Sequence, residues 1–202
     1  MSRANGYFEA FVNGIAARPT ADDRALVDAV VRLAREVVAG SQVRWAGSQR
    51  KGTAIVGSDL DVCLECATPV TERHRRDLRA ALERGLGRSA RVQSHVVRLP
   101  AHEGQPKVDL AFANAAFGSR PLPDPTPFHD RPARQAAARA LQVWTRAGNL
   151  PHLPGWAVEG LVVHLDPPTV PRAPLEVFQR VVAWLDGKAS PAAVEGVLLP
   201  MA

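Results

Sequence analysis

The tightest constraint on this chain lies between Trp45 and Glu65. Here a short apolar segment runs into Gly47-Ser48 and, after ten further residues, into Asp59-Leu60-Asp61-Val62. The apolar run that holds Asp59 and Asp61 reads as a strand over 59–66. The two-residue period of a strand sends both carboxylates to one face and turns Leu60 and Val62 into a core. Two carboxylates on one surface favour a divalent cation. Gly47-Ser48 follows a shorter strand over 43–46 and opens a segment rich in Gly, Ser, Thr and Lys. Backbone N–H groups in such a turn can approach an anion such as a phosphate.

The order Gly47-Ser48-x-x-Lys51-Gly52-Thr53 followed by Ser58-Asp59-x-Asp61 resembles the signature of the polymerase-β-type nucleotidyltransferase superfamily. The form is similar to that of oligoadenylate synthases, bacterial cyclic-oligonucleotide synthases and archaeal CCA-adding enzymes. A second block adds to the resemblance. Residues 141–165 are similar to the helical part that follows the catalytic sheet in these enzymes, with Trp156 at the aromatic position and Glu159 at the acidic one. The chain departs from the pattern at Gln142, where a triphosphate-contacting Lys is usual, and at Gly155, where some members have a phosphate-contacting Ser. It departs mildly again after Asp109, where Leu110-Ala111-Phe112 stands and a Pro often follows.

The resemblance implies an α+β fold: a catalytic lobe with a mixed, mostly antiparallel sheet and flanking helices, then a small helical lobe. It implies catalytic and metal-holding roles for Asp59, Asp61 and a third carboxylate on a neighbouring strand, for which Asp109 in Val108-Asp109-Leu110 is the candidate. A charge in an apolar strand is costly unless it is paired or binds a metal. The alternative for Asp109 is therefore an Arg partner across the sheet. Gly47, Ser48, Lys51 and Trp156 are the nucleotide-binding candidates. Hard oxygen ligands suit Mg²⁺ or Mn²⁺ and argue against zinc. The expected activity is transfer of NMP from an NTP, ATP first among them, to a hydroxyl with release of pyrophosphate. The acceptor is a nucleotide, as in synthases of oligonucleotide signals, or an RNA 3′ end or protein side chain. A nucleotide-binding fold without turnover is the third reading.

The rest of the chain fits around this stretch. A helix is expected over the spacing Tyr7, Phe8, Phe11, Val12, Ile15, and another from Asp22-Asp23 with Leu26, Val30, Leu33 and Val37 on one face, stopped by Gly40. Thr71 can cap a helix from Glu72 to about Gly85, with Arg73, His74, Arg75, Arg76 and Arg79 exposed; a solvated basic face is a commoner outcome than an RNA-binding one. Residues 91–99 read as one strand and 107–113 as its hairpin partner. Five prolines between 118 and 132 exclude an interior helix or central strand there. The expected division is thus a catalytic lobe over 1–117, a Pro-rich linker over 118–132 and a helical lobe over 133–202. In that lobe helices are expected over 134–147, 155–165 and 175–185, the last with Val177, Val181 and Trp184 inward.

Cys63 and Cys66, the only cysteines, read as core residues of a reducing compartment. The formal charge of +5 is carried almost wholly by Arg, with Lys only at 51, 107 and 188, and it permits phosphate or polynucleotide partners. No apolar run approaches the roughly 20 residues of a membrane span and the first residues lack a signal-peptide core, so a cytoplasmic protein with no membrane partner is expected. His164 reads as a packed helix residue, His102 and His129 as exposed loop residues.

Overall fold

The computed structural model describes residues 3–66, 68–93, 96–113, 125–149, 153–167 and 171–187. The chain forms two compact units. One comprises Ala17–Arg50 and Gly57–Asp124; the other comprises Met1–Ala16, Lys51–Val56 and Pro125–Ala202.

The first unit is the sheet. Its helices are α2 (Ala21–Val37) and α4 (Glu72–Leu86), its strands β1 (Gln42–Trp45), β2 (Leu60–Glu65), β3 (Arg91–Val92), β4 (Val96–Leu99) and β5 (Val108–Phe112). The order across the sheet is β1-β2-β5-β4-β3. Only β2 and β5 are parallel. A parallel pair needs a long crossover, and α4 with the β3–β4 hairpin supplies it. The expectation of a single strand over 91–99 is corrected. The chain doubles back, pairing Arg91 with Arg98 and Val92 with Val97, because the polar Gln93-Ser94-His95 interrupts the apolar alternation and the Gln93 amide donates to the Val96 carbonyl at 2.9 Å.

Alternation builds the core. Leu60, Val62 and Leu64 of β2, Val97 and Leu99 of β4, and Val108, Leu110 and Phe112 of β5 are all buried with Leu26, Val30 and Leu33 of α2 and Leu78 and Leu82 of α4. Each such side chain contributes about 1.5–3 kcal/mol on leaving water. Both helices start with reciprocal caps: Thr20 with Asp23, and Thr71 with His74. Gly87 closes α4 in the left-handed conformation. The basic face of α4 is smaller than expected. Arg75 is buried and bonded to Glu72 at 2.8 Å, because it lies one turn before Arg79 and three residues before Leu78, on the flank facing the core. Arg73 pairs with Asp77 and Arg79 with Glu83.

The second unit is helical: α1 (Arg3–Gly14), α5 (Pro132–Trp144), α6 (Gly155–Leu165) and α7 (Pro174–Gly187). Its core joins Leu141 of α5, Leu161 and Val162 of α6, and Val177, Val181 and Leu185 of α7. Leu185, not Trp184, completes the buried stripe of α7, and His164 of α6 is exposed where a packed residue was expected. After Trp144 the backbone loosens into a π turn, Thr145–Asn149. Arg134 and Arg172 both grip Asp166, at 2.9 and 2.8 Å, and fix the end of α6. Helix α1 belongs here because Val12 clusters with Ala136 and Ala140, and Phe8 packs on Phe178. The compact units are therefore not linear in sequence. Of the five prolines, Pro121 and Pro123 lie outside the described residues. Pro125 and Pro127 flank and enter a 3-10 turn, Thr126–Phe128, that buries Phe128, and Pro132 opens α5.

Candidate active site

Parallel pairing of β2 with β5 sets Asp61 directly opposite Asp109. Both residues lie on the face turned away from the Leu60–Val62 core, as the alternating burial of the two strands requires. The antiparallel register of β5 with β4 continues the row by setting Arg98 opposite Asp109. Arg91 on β3 comes next. Asp59 stands just before β2, and the Leu60 amide donates to the Lys107 carbonyl at 2.8 Å, extending the pairing by one residue.

Charge is distributed unevenly along this face. Arg98 donates from Nε to Asp109 Oδ1 and from Nη2 to Oδ2, both at 2.7 Å, a two-pronged grip on a carboxylate only 13% exposed. That hydrogen bonding, reinforced by the fields of Asp109, Asp59 and Asp61, raises the Arg98 pKa against the opposing cost of burial. Lys107 donates from Nζ to Asp59 Oδ2 and stands 3.7 Å from Asp109 Oδ2. Arg98 and Lys107 thus sit against Asp109 and Asp59 in this row. Asp109 lies opposite Asp61 and has an arginine partner across the sheet, the alternative expected for it.

Gly47 adjoins the cluster. It opens a five-residue helix, α3 (Gly47–Lys51), where a turn was expected. Its φ of +53° favours glycine, and a β-carbon there would fall 1.9 Å from Asp61 Oδ2. The backbone of β1 holds the same residue, since the Ala46 amide donates to the Asp61 carbonyl at 2.9 Å. Asp59 and Asp61 therefore present hard oxygen donors on one face, the donor chemistry of a Mg²⁺ or Mn²⁺ site. Among the described residues, no group of three His, Cys, Asp or Glu side chains comes together as a metal cage.

Lys51 is placed elsewhere. In the helical unit its ammonium bonds to Glu159 Oε2, with both side chains 7% exposed, and the Thr53 hydroxyl donates to Glu159 Oε1. Gln142 Nε2 donates to the Thr53 carbonyl at 3.4 Å, and Arg139 Nη1 to the Gly52 carbonyl at 2.6 Å. Burial lowers the Arg139 pKa. Gly155, the other departure from the family pattern, lies beside Gln142: a β-carbon on it would be 3.9 Å from Nε2. Trp156, next along α6, is half exposed.

Sequence reasoning missed Arg98 and Lys107. Lys107 was within reach, because position 107 shares a strand face with 109. Arg98 required the register of a hairpin whose first arm was read as continuous with its second.

The cysteines are free and buried, as expected, and burial pushes the Cys63 thiol up to about 11. No described helix is long and apolar enough to cross a membrane.

No protein-family model matches this sequence, and no curated protein matches it. Solved structures do. The chain superposes on the Cid1 poly(U) polymerase with Mg 3′-dATP bound with a TM-score of 0.73 at 11% identity, covering 94% of this chain and 75% of that one. A cytoplasmic RNA terminal U-transferase gives a TM-score of 0.66 at 11% identity over 93% of this chain and 70% of that one. The CdnE cyclic dinucleotide synthase of Elizabethkingia meningoseptica, with GTP and Apcpp, gives 0.62 at 11% identity over 90% and 83%. At such identity the likeness is one of fold: this chain shares the fold of these solved structures.

Proposed function

We propose that the protein is a divalent-metal-dependent nucleotidyltransferase that moves NMP from an NTP, with ATP the first candidate, to a hydroxyl acceptor with loss of pyrophosphate. The observation that carries this reading is the in-register pair Asp61 and Asp109, with Asp59 at the head of the same strand. It is supported by a fold held in common with proteins described as a poly(U) polymerase and a cyclic dinucleotide synthase.

In this reading Asp59 and Asp61 hold the cation, whose charge offsets that building on the phosphates during in-line displacement. Gly47 and Ser48 approach the β- and γ-phosphates, the glycine because no side chain intervenes between its backbone and Asp61. Arg98 and Lys107 restrain Asp109 and Asp59 through ion pairs. Trp156 is a half-exposed indole of the kind that can stack on a base. Lys51, the remaining nucleotide-binding candidate, is held by Glu159.

Two acceptor classes follow from the neighbours. A second nucleotide corresponds to the cyclic dinucleotide synthase, an RNA 3′ end to the terminal U-transferase. The test is incubation with each labelled NTP and Mg²⁺, with no acceptor, with RNA and with protein. A low-mass labelled oligonucleotide selects the first class, label on RNA the second. Label on protein would move the acceptor to a side chain. Absence of pyrophosphate release under all three conditions would leave a nucleotide-binding fold without turnover.

A further inference from the structure

We infer that Arg91, beside Arg98 at the basic end of the same sheet face, receives the phosphate on the 5′ side of the acceptor's ribose. The acceptor is then a phosphorylated nucleotide, free or at the end of an RNA, and not a protein side chain. This rests on the transferase reading and deepens it by naming the acceptor's chemistry.

Strand register brings the two arginines together. Asp61, Asp109, Arg98 and Arg91 follow one another across β2, β5, β4 and β3, and directly opposed residues share a face of the sheet. Arg98 and Arg91 are thus opposed cations, an arrangement that weakens a strand pair unless the charge is used elsewhere. Arg98 spends its charge on Asp109, through two bonds at 2.7 Å. Arg91 has no such outlet. It is exposed, and among the described residues its side chain has no hydrogen bond or ion pair. Glu83 of α4, the acid that reaches the chain just ahead of β3, already accepts from the Ala90 amide and from Arg79, each at 3.1 Å. A guanidinium cannot shed its charge by losing a proton, so one set against another without a carboxylate of its own suits an anion brought from outside.

Position selects the anion. Gly47, where the donor's phosphates are read, adjoins Asp61 at one end of the row, whereas Arg91 stands at the other end, on the outermost strand. Two strand spacings, roughly 10 Å, separate its backbone from that of Asp109. An acceptor hydroxyl brought to the carboxylates belongs, in a nucleotide, to a ribose whose own 5′ phosphate hangs a few bonds away, within reach of a long side chain rooted at that distance. The planar fork of a guanidinium matches a phosphate two oxygens at a time. A serine or tyrosine hydroxyl of a protein brings no such anion and leaves Arg91 uncompensated.

The full-length chain is tested as wild type, Arg91→Gln and Arg91→Lys; the position is exposed, so neither variant should lower the urea midpoint. Binding of a 5′-labelled single-stranded RNA is followed by fluorescence anisotropy over a series of salt concentrations, beside binding of a non-hydrolysable ATP analogue. Arg91→Gln is expected to weaken RNA binding about three- to tenfold and to flatten the slope of log affinity against log salt by about 0.7, one phosphate contact on a single strand. Arg91→Lys should restore both, and analogue binding should not move. Pyrophosphate release from ATP is then measured with RNA, AMP or adenosine as acceptor. In Arg91→Gln the KM of the phosphorylated acceptor should rise about tenfold, the loss of one charge-assisted contact, and that of adenosine should stay. Whether RNA or AMP takes up the label identifies the source of the phosphate. Unchanged RNA affinity, salt slope and KM in Arg91→Gln overturn the inference, since Arg91 is then a solvated edge residue. Equal losses for AMP and adenosine, or for RNA and the ATP analogue, also overturn it, as does label on protein alone. A wild type that releases no pyrophosphate with any acceptor overturns the transferase reading instead, a result on which the RNA-binding arm does not depend.

Discussion

Two clusters of charge in this molecule use the same residue types to opposite ends. In the helical unit Lys51 and Glu159 form one ion pair, closed by the Thr53 hydroxyl, with both side chains 7% exposed. In the sheet unit Asp59 and Asp109 are paired with Lys107 and Arg98 on a partly exposed face that Asp61 shares. A buried pair with every partner supplied has nothing left to offer a ligand. A partly exposed row of carboxylates, with Asp59 43% exposed, is still open to one. Both clusters grow from one motif, since Lys51 follows Ser48 by three residues and precedes Asp59 by eight. Membership of a motif therefore says less about role than the completeness of the partnerships around each charge.

The contrast can be broken most directly at Asp61. Asp61→Asn is expected to lower NMP transfer about 10³-fold, as loss of several kcal/mol of charge stabilisation at the phosphates would do, with the melting temperature essentially unchanged. Pyrophosphate release from labelled ATP measures it. Near-normal turnover would remove the sheet cluster from the chemistry.

The reverse pattern is expected at the closed pair. Glu159→Gln, which strands the Lys51 ammonium, should cost about 3–5 kcal/mol of stability, and Lys51→Met combined with Glu159→Leu should recover most of it. Urea unfolding of the single and double variants decides this. A loss below about 1 kcal/mol for Glu159→Gln would deny the pair its structural role.

The comparison sharpens within β2 itself, where Cys63 lies two residues beyond Asp61 on the same side of the strand. Burial pushes its thiol up to about 11 from the ordinary 9.0. The unfolded chain therefore loses this proton first. The contribution is fully present below pH 9 and is lost as pH rises towards about 11, a fall of roughly 2–3 kcal/mol. Stability measured from pH 8 to 11 should show this slope in the wild type and a shallower one in Cys63→Ala. Equal slopes would mean that the strand is open to water as far as Cys63.

The smallest effect is expected at Trp156. Trp156→Ala should raise KM for the NTP about tenfold, in line with roughly 1–3 kcal/mol for stacking on a base, and leave stability within about 1 kcal/mol. An unchanged KM would remove Trp156 from nucleotide recognition.

What could be read from the residues was whatever depended on short periods. The alternation around Asp59 and Asp61, the capping of α2 and α4, and the apolar stripes of α5, α6 and α7 all repeat within a few positions. Asp109 was found the same way, as a lone carboxylate between apolar neighbours. What escaped depended on pairing at a distance. Nothing near Lys51 announces Glu159, 108 residues further on. The burial of Arg75 depends on which flank of α4 meets the sheet. Arg98 faces Asp109 only because β3 and β4 fold back on each other, and an uninterrupted strand over 91–99 gives no such register.

The glycine at position 47 carries a practical warning for anyone mapping this protein by saturation mutagenesis. Its replacement by any other residue would drive a β-carbon into the Asp61 carboxylate, so the position will score as intolerant although it contributes no reactive atom. An activity screen would rank it alongside the aspartates. Only a readout of carboxylate position, such as a metal or nucleotide titration on the folded variant, would distinguish a displaced ligand from a missing one.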